Sequence, residues 1–299
     1  MARSVSLVLG SGGARGYAHI GAIEALEERG YKVKSVSGCS MGALVGGIYA
    51  AGNLEKFKRW AIDLDWTDTL KLVDLSFLTS GGAIKGDRVF EKIAPFFGDK
   101  IIERLPIRFT AVATDLDAKK EVWFQEGDLK TAIRASVAIP TVFTPIYHNS
   151  RVLVDGAVLN PLPIAPTMSD HTDLIAAVNL NASFASPLKP IAEAAASDRK
   201  DSLMTRLEKW LVKLGAKSAS ARESVTQIDI LQRVIEAMQE TMTLYKIAGY
   251  LPDILVEVPI ESCRVYDFHK AKEMIELGYD LTTQAIAKYE ARGAQSQSV

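Results

Sequence analysis

The sequence predicts an α/β protein, and three observations predict it. Short apolar runs bounded by glycine or polar turns alternate with stretches of helical periodicity along most of the chain. Two of the runs, residues 5–9 and 34–37, pass through glycine-bearing turns straight into helical patterns. The 299 residues, 48% hydrophobic and 24% charged, suffice for one large domain or two small ones around a sizeable core.

The elements follow in order. Residues 5–9 read as a buried parallel strand. Next comes Gly10-Ser11-Gly12-Gly13-Ala14-Arg15-Gly16, and a helical pattern over 17–29 that Gly30 ends. After the β-like run 34–37 stands Gly38-Cys39-Ser40-Met41-Gly42, opening an apolar helix over 43–51. Residues 54–65 form an amphipathic helix, 66–86 are irregular, and 88–96 form a helix with Asp87 as N-cap. Residues 107–114 read as a core strand and 121–125 as its hairpin partner. A short helix over 129–137 ends at Ile139-Pro140. Residues 151–155 make a strand that closes on Asp155-Gly156, and 173–179 another. From about 180 to 226 strand character fades; 203–217 carries Leu203, Met204, Leu207, Trp210, Leu211 and Leu214 on one helical face with lysines elsewhere. Such a helix could lie on a membrane surface, cover the pocket or pack on the domain or a second subunit. A helix over 228–245, a strand over 253–258 and a helix over 267–290 complete the chain, with a frayed end from 291.

Charge and cysteines exclude several classes. Lys plus Arg (35) nearly cancels Asp plus Glu (36), so nothing draws the chain to nucleic acid. Cys39 and Cys263 form neither a disulfide framework nor a metal pattern. No run approaches the 18 apolar residues of a membrane span, and the first residues do not read as a signal peptide. A cytoplasmic protein is expected, with peripheral membrane contact and a homo-oligomer left open.

Three stretches carry chemistry. Strand, G-x-S-x-G, helix is the context of a nucleophile elbow, in which flanking Gly38 and Gly42 let strand and helix approach a strained Ser40. Cys39, at the x position, is expected to point away from the pocket as a small buried side chain. The glycine loop fits two functions. A dinucleotide fingerprint counted from Gly10 puts Arg15 where the third glycine belongs, and no ribose-holding acid follows. An oxyanion hole built from the N–H groups of Gly12, Gly13 and Met41 fits better, with Arg15 anchoring the loop or adding positive field. Asp155 is expected at the C-terminal end of a parallel strand, where α/β sheets place their chemistry, although Asp-Gly is also a common turn pair. None of His19, His148, His171 and His269 stands where a Ser-Asp-His chain order needs one. A Ser40–Asp155 dyad is the economical expectation, with a carboxylate made basic by burial.

Together these stretches resemble the patatin-like phospholipases, including bacterial members related to neuropathy target esterase. The glycine loop Ser11–Gly16, the elbow Gly38–Gly42 and Asp155-Gly156-Ala157 match that family's pattern in order and spacing, as do Ile133-Arg134-Ala135-Ser136, Ile139-Pro140 and Asn160-Pro161. Ser11 stands where the family's loop begins with glycine. The resemblance covers residues 5–180. It implies a three-layer α/β/α sandwich with a mixed, mostly parallel sheet. It implies acyl-ester hydrolysis through an acyl-Ser40 intermediate, with no metal or organic cofactor. Lysophospholipids, phospholipids or simpler acyl esters would be substrates, and acyl transfer to an alcohol is open where water is excluded. The expected organisation is a catalytic core over 1–183, a variable segment over 184–225 and a helix-strand-helix over 226–299 completing the same domain. Two rivals remain at this level: a non-catalytic regulatory or lipid-binding protein on the same fold, and a nucleotide-binding protein.

Overall fold

The computed structural model describes residues 3–64, 90–140, 143–183 and 227–296. The irregular stretch 66–86, the Asp87 cap and the amphipathic stretch 203–217 lie outside them. Among the described residues, eight strands form one mixed sheet. They are β1 (Ser4–Leu9), β2 (Lys32–Cys39), β3 (Arg108–Asp115), β4 (Lys120–Phe124), β5 (Ile146–His148), β6 (Arg151–Asp155), β7 (Leu174–Ala182) and β8 (Ile254–Pro259). The centre is parallel: β3, β2, β1, β7 and β8 lie side by side and run the same way. The β4, β5 and β6 strands add an antiparallel flank.

Both faces of the sheet are covered. Val5, Leu7 and Leu9 point into the larger core, built with α1 (Ala18–Glu28), α2 (Met41–Ala50), α3 (Leu54–Ile62), α4 (Leu129–Ser136) and α6 (Ala271–Ser296). Val8 and Ala177 point the other way, against Leu162, Ile164 and Ile247 of α5 (Gln227–Gly249). Alternate residues of central strands thus bury on opposite sides, which gives near-continuous apolar runs and the three-layer arrangement. α6 packs along α1, and β8 pairs with β7, so the last described segment extends the sheet begun by β1.

Several elements differ from the sequence reading. β2 runs from Lys32 rather than from residue 34. The first helix begins as a 3-10 turn over Gly13–Tyr17. The helix expected over 88–96 tightens to 3-10 at Ala94–Phe96, where Pro95 removes a backbone donor. The last helix continues to Ser296 rather than fraying at 291. The short β5 strand, three residues long, gives no legible alternation. The largest correction concerns β6. It was expected to be parallel, yet it runs antiparallel to both β3 and β5.

Candidate active site

The sheet brings the nucleophile candidate and the carboxylate together along one edge of β3. β4 pairs with β3 from Ala111 to Asp115 and so takes one edge over that length. The other edge is left for β2, which pairs up to Cys39↔Val112, and for β6, which ends at Asp155↔Ala113. The two strands therefore meet head to head, their last residues opposite consecutive positions of β3. An antiparallel β6 delivers Asp155 to Ser40 because its C-terminal end runs toward that of β2.

Ser40 is the hinge between β2 and α2, at φ 55° and ψ −123°. This conformation costs a non-glycine residue about 1–3 kcal/mol and is held by its surroundings. Gly38 and Gly42 make it reachable: a Cβ at Gly38 would strike the backbone of Gly42, and one at Gly42 the Leu9 carbonyl. A third restraint was not foreseen. The Ser40 N–H donates to Ser136 Oγ (3.0 Å), and the Ser136 hydroxyl donates to the Val112 carbonyl (2.6 Å). Ser136, fully buried at the end of α4, thereby ties the elbow to β3 at the position where β2 stops. Its place in Ile133–Ser136 was visible in the sequence, but nothing local announced this contact.

Ser40 Oγ donates to Asp155 Oδ2 at 2.6 Å. Asp155 also caps the following 3-10 turn, its Oδ1 accepting from Ala157 N–H at 2.8 Å. The turn cap and the contact with Ser40 use different oxygens of Asp155. Ser40 and Asp155 are 5% and 3% exposed. Burial pushes the Asp155 carboxyl up to about 6, while donation from Ser40, Ala157 and Cys39 pulls in the opposite direction. Cys39 is buried, as expected, but does not point away: its Sγ lies 3.8 Å from Asp155 Oδ1. Burial first, then the charge of Asp155, raises its thiol well above the usual range, so it stays protonated.

The glycine loop leaves the end of β1 and is braced from several directions. The Gly10 and Ser11 N–H groups donate to Val178 O and Pro161 O, and those of Ala14 and Arg15 to Val265 O and Gly12 O. Among the described residues the N–H groups of Gly12 and Gly13 have no acceptor. Gly13 sits at φ 56° with Val265 pressed where a Cβ would be, which fixes glycine there. Gly16 abuts the Met41 side chain, so loop and elbow are neighbours. Met41 N–H heads α2 among the amides that a helix start leaves open. Arg15 is buried and donates to the carbonyls of Ile260 (3.2 Å) and Cys263 (3.3 Å) and to Asn181 Oδ1 (3.2 Å), with Glu236 at 3.9 Å. Asn181 in turn donates to Ser11 O (3.1 Å), a second clasp that sequence reading missed. At Ser11 the hydroxyl is buried without a partner among the described residues and the backbone keeps its course.

No described histidine acts on Asp155, although one braces the glycine loop. His19 is buried, donates from Nε2 to the Gly10 carbonyl (2.8 Å), and is held neutral by burial with its pKa pulled down to about 4. His148 ends β5 with its ring against Phe124, rather than lying in a turn. His171 lies in the loop before β7, and His269 lies in a 3-10 turn before α6. Among the described residues no cluster of His, Cys, Asp and Glu could hold a metal ion, and no helix is long and apolar enough to cross a membrane.

A mostly parallel sheet clothed by helices on both faces, with a strained serine and a buried aspartate meeting at one strand edge, defines an α/β protein of the serine-elbow type. The family model of patatin-like phospholipases matches residues 7–168. An NTE family protein of Mycobacterium tuberculosis strain H37Rv is 38% identical over 333 aligned positions, covering 96% of this chain and 92% of that protein. The lysophospholipase NTE1 of Saccharomyces cerevisiae is 26% identical over 93% of this chain, which spans 16% of that protein. The structure of VipD from Legionella pneumophila aligns with a TM-score of 0.47 and 14% identity, over 96% of this chain and 67% of that one. The chain belongs to the patatin-like phospholipase family.

Proposed function

We propose that this protein is a serine acyl hydrolase of lipid esters, of lysophospholipase, phospholipase A or carboxylesterase type. The observation that carries the reading is the 2.6 Å hydrogen bond from the Ser40 hydroxyl to a buried aspartate on which, among the described residues, no histidine or cation acts. Ser40 Oγ attacks the acyl carbon while its proton passes to Asp155 Oδ2. The carbonyl oxygen becomes an oxyanion facing the N–H groups of Gly12, Gly13 and Met41. Collapse breaks the ester bond, the departing alcohol takes the proton from Asp155, and an acyl-Ser40 ester remains. Water then attacks the acyl carbon, giving a proton to Asp155; collapse breaks the bond to Ser40 Oγ, which takes that proton back, and the fatty acid leaves. Gly10, Gly16, Gly38, Gly42 and Gly156 allow the backbone approaches that hold these groups. Arg15 acts as the anchor of the loop.

The sheet pairing of β7 with β8 and the packing of α6 on α1 support one domain completed by residues 226–299. The lysophospholipase name of the yeast relative favours lipid substrates. The test is hydrolysis of p-nitrophenyl esters of short and long acyl chains and of a lysophospholipid by the wild type, Ser40→Ala and Asp155→Ala. Turnover by the wild type and loss in both folded variants is expected. A folded wild type that turns over none of these esters would favour the non-catalytic reading.

A further inference from the structure

We propose that Cys39, the residue before the nucleophile, is a positioning residue that holds the Asp155 carboxylate for its exchange of a proton with Ser40, and that it does so with a thiol because a hydroxyl would bind that carboxylate too firmly. The inference rests on the dyad reading and adds a residue to it.

The two oxygens of Asp155 have separate duties. Oδ2 receives Ser40 Oγ, while Oδ1 receives the Ala157 N–H and lies 3.8 Å from Cys39 Sγ. Two donors on Oδ1 fix the plane of the carboxylate and so the direction in which Oδ2 faces. The thiol has little freedom to leave. Cys39 is opposite Val112 on β3, and a Cβ at Gly156 would already touch its sulfur at 3.0 Å. Burial and the neighbouring charge keep the thiol protonated, so it remains a donor and does not compete with Asp155 for the serine proton.

Among the described residues, the charged groups on the surrounding elements are occupied elsewhere. Glu121 of β4, whose charge also raises the Cys39 thiol, is bound by Lys246 (2.7 Å) and Asn160 (2.8 Å). Asp115 of β3 faces Arg151 at the start of β6 (3.6 Å). Arg134 of α4 donates to Thr144 and lies over the rings of Phe90 and Phe143. The proton affinity of Asp155 is therefore set by burial and by neutral donors, of which the side chain at position 39 is the one a substitution can grade. An S–H donates more weakly than an O–H, and a stronger donor to a carboxylate lowers its basicity.

The test is the pH profile of kcat/KM on p-nitrophenyl butyrate for the wild type, Cys39→Ser, Cys39→Ala and Asp155→Asn. The wild-type profile rises on a limb near pH 6. Cys39→Ser moves that limb to lower pH and Cys39→Ala to higher pH, each by about half a pH unit. A packing role alone would change the plateau and Tm in both variants and leave the limb in place, so an unmoved limb overturns the inference. The near-isosteric serine variant carries the test by itself if the alanine variant does not fold. An Asp155→Asn enzyme that keeps the wild-type limb overturns the dyad reading and this inference with it. An inactive Asp155→Asn beside an unmoved limb removes the role of Cys39 alone.

Discussion

Two aspartates turn little-exposed side chains toward opposite ends of this sheet, and their partners differ in kind. Asp170, whose side chain is 4% exposed, accepts from Arg108 Nη1 at 2.7 Å, from Ser35 Oγ, and from Ser6 Oγ at 3.4 Å. Asp155 receives a serine hydroxyl, a thiol and one backbone amide, and no cation among the described residues. Asp170 has a guanidinium beside it that offsets the charge of its carboxylate. A carboxylate buried among neutral donors is costly while charged, and a proton relieves the cost. The same side chain thus ties strands together at one end of the sheet and, in the proposed mechanism, accepts a proton at the other.

The comparison breaks most sharply at the chemistry. Ser40→Ala and Asp155→Asn are each expected to lower kcat/KM by about 10³-fold or more while leaving the circular dichroism spectrum intact. Asp170→Ala is expected to leave kcat of the folded protein near the wild-type value, and an equal loss there would erase the contrast. Ser136→Ala comes next. It strands the buried Ser40 N–H and lets the strained elbow relax, and a fall in kcat of about 10- to 100-fold with little change in KM is expected from steady-state kinetics.

Stability sharpens the comparison in opposite directions. Asp170→Ala is expected to cost about 1–3 kcal/mol in urea unfolding, because Ser35 and Arg108 lose their acceptor. Arg108→Ala is expected to cost less than about 1 kcal/mol, since that side chain is 62% exposed. Asp155 works the other way. Its folded pKa of about 6 stands above the ordinary 3.8, so the native state holds a proton that the unfolded chain has released. Its contribution is fullest below about pH 4 and is lost as pH rises through 6, a change on the order of 2–3 kcal/mol. Asp155→Asn removes that fall and is expected to be more stable than the wild type at pH 8, read by the same unfolding titration.

Much of this was legible in the sequence because it is local. The glycine loop before α1, the elbow before α2 and Asp155-Gly156 each announce their geometry through residues a few positions apart. A strand run flanked by glycine marked β1, and two β-rich runs, 107–114 and 121–125, on either side of a polar turn marked the β3–β4 hairpin. What escaped depends on pairing between distant segments. The direction of β6 follows from which edge of β3 is free once β4 has paired, and no local pattern records that. Ser136 and Cys39 both meet Val112, and Asp155 lies opposite Ala113, neighbours found only in the assembled sheet. Asn181 clasps the glycine loop from 166 positions beyond Arg15.

The most direct test of the account is covalent labelling by a fluorophosphonate, with the modified residue located by mass spectrometry and the rate followed against pH. The account predicts an adduct on Ser40 whose rate of formation rises through about pH 6 in the wild type and collapses in folded Asp155→Asn. Labelling of Asp155→Asn at the wild-type rate, with the same dependence on pH, would contradict it.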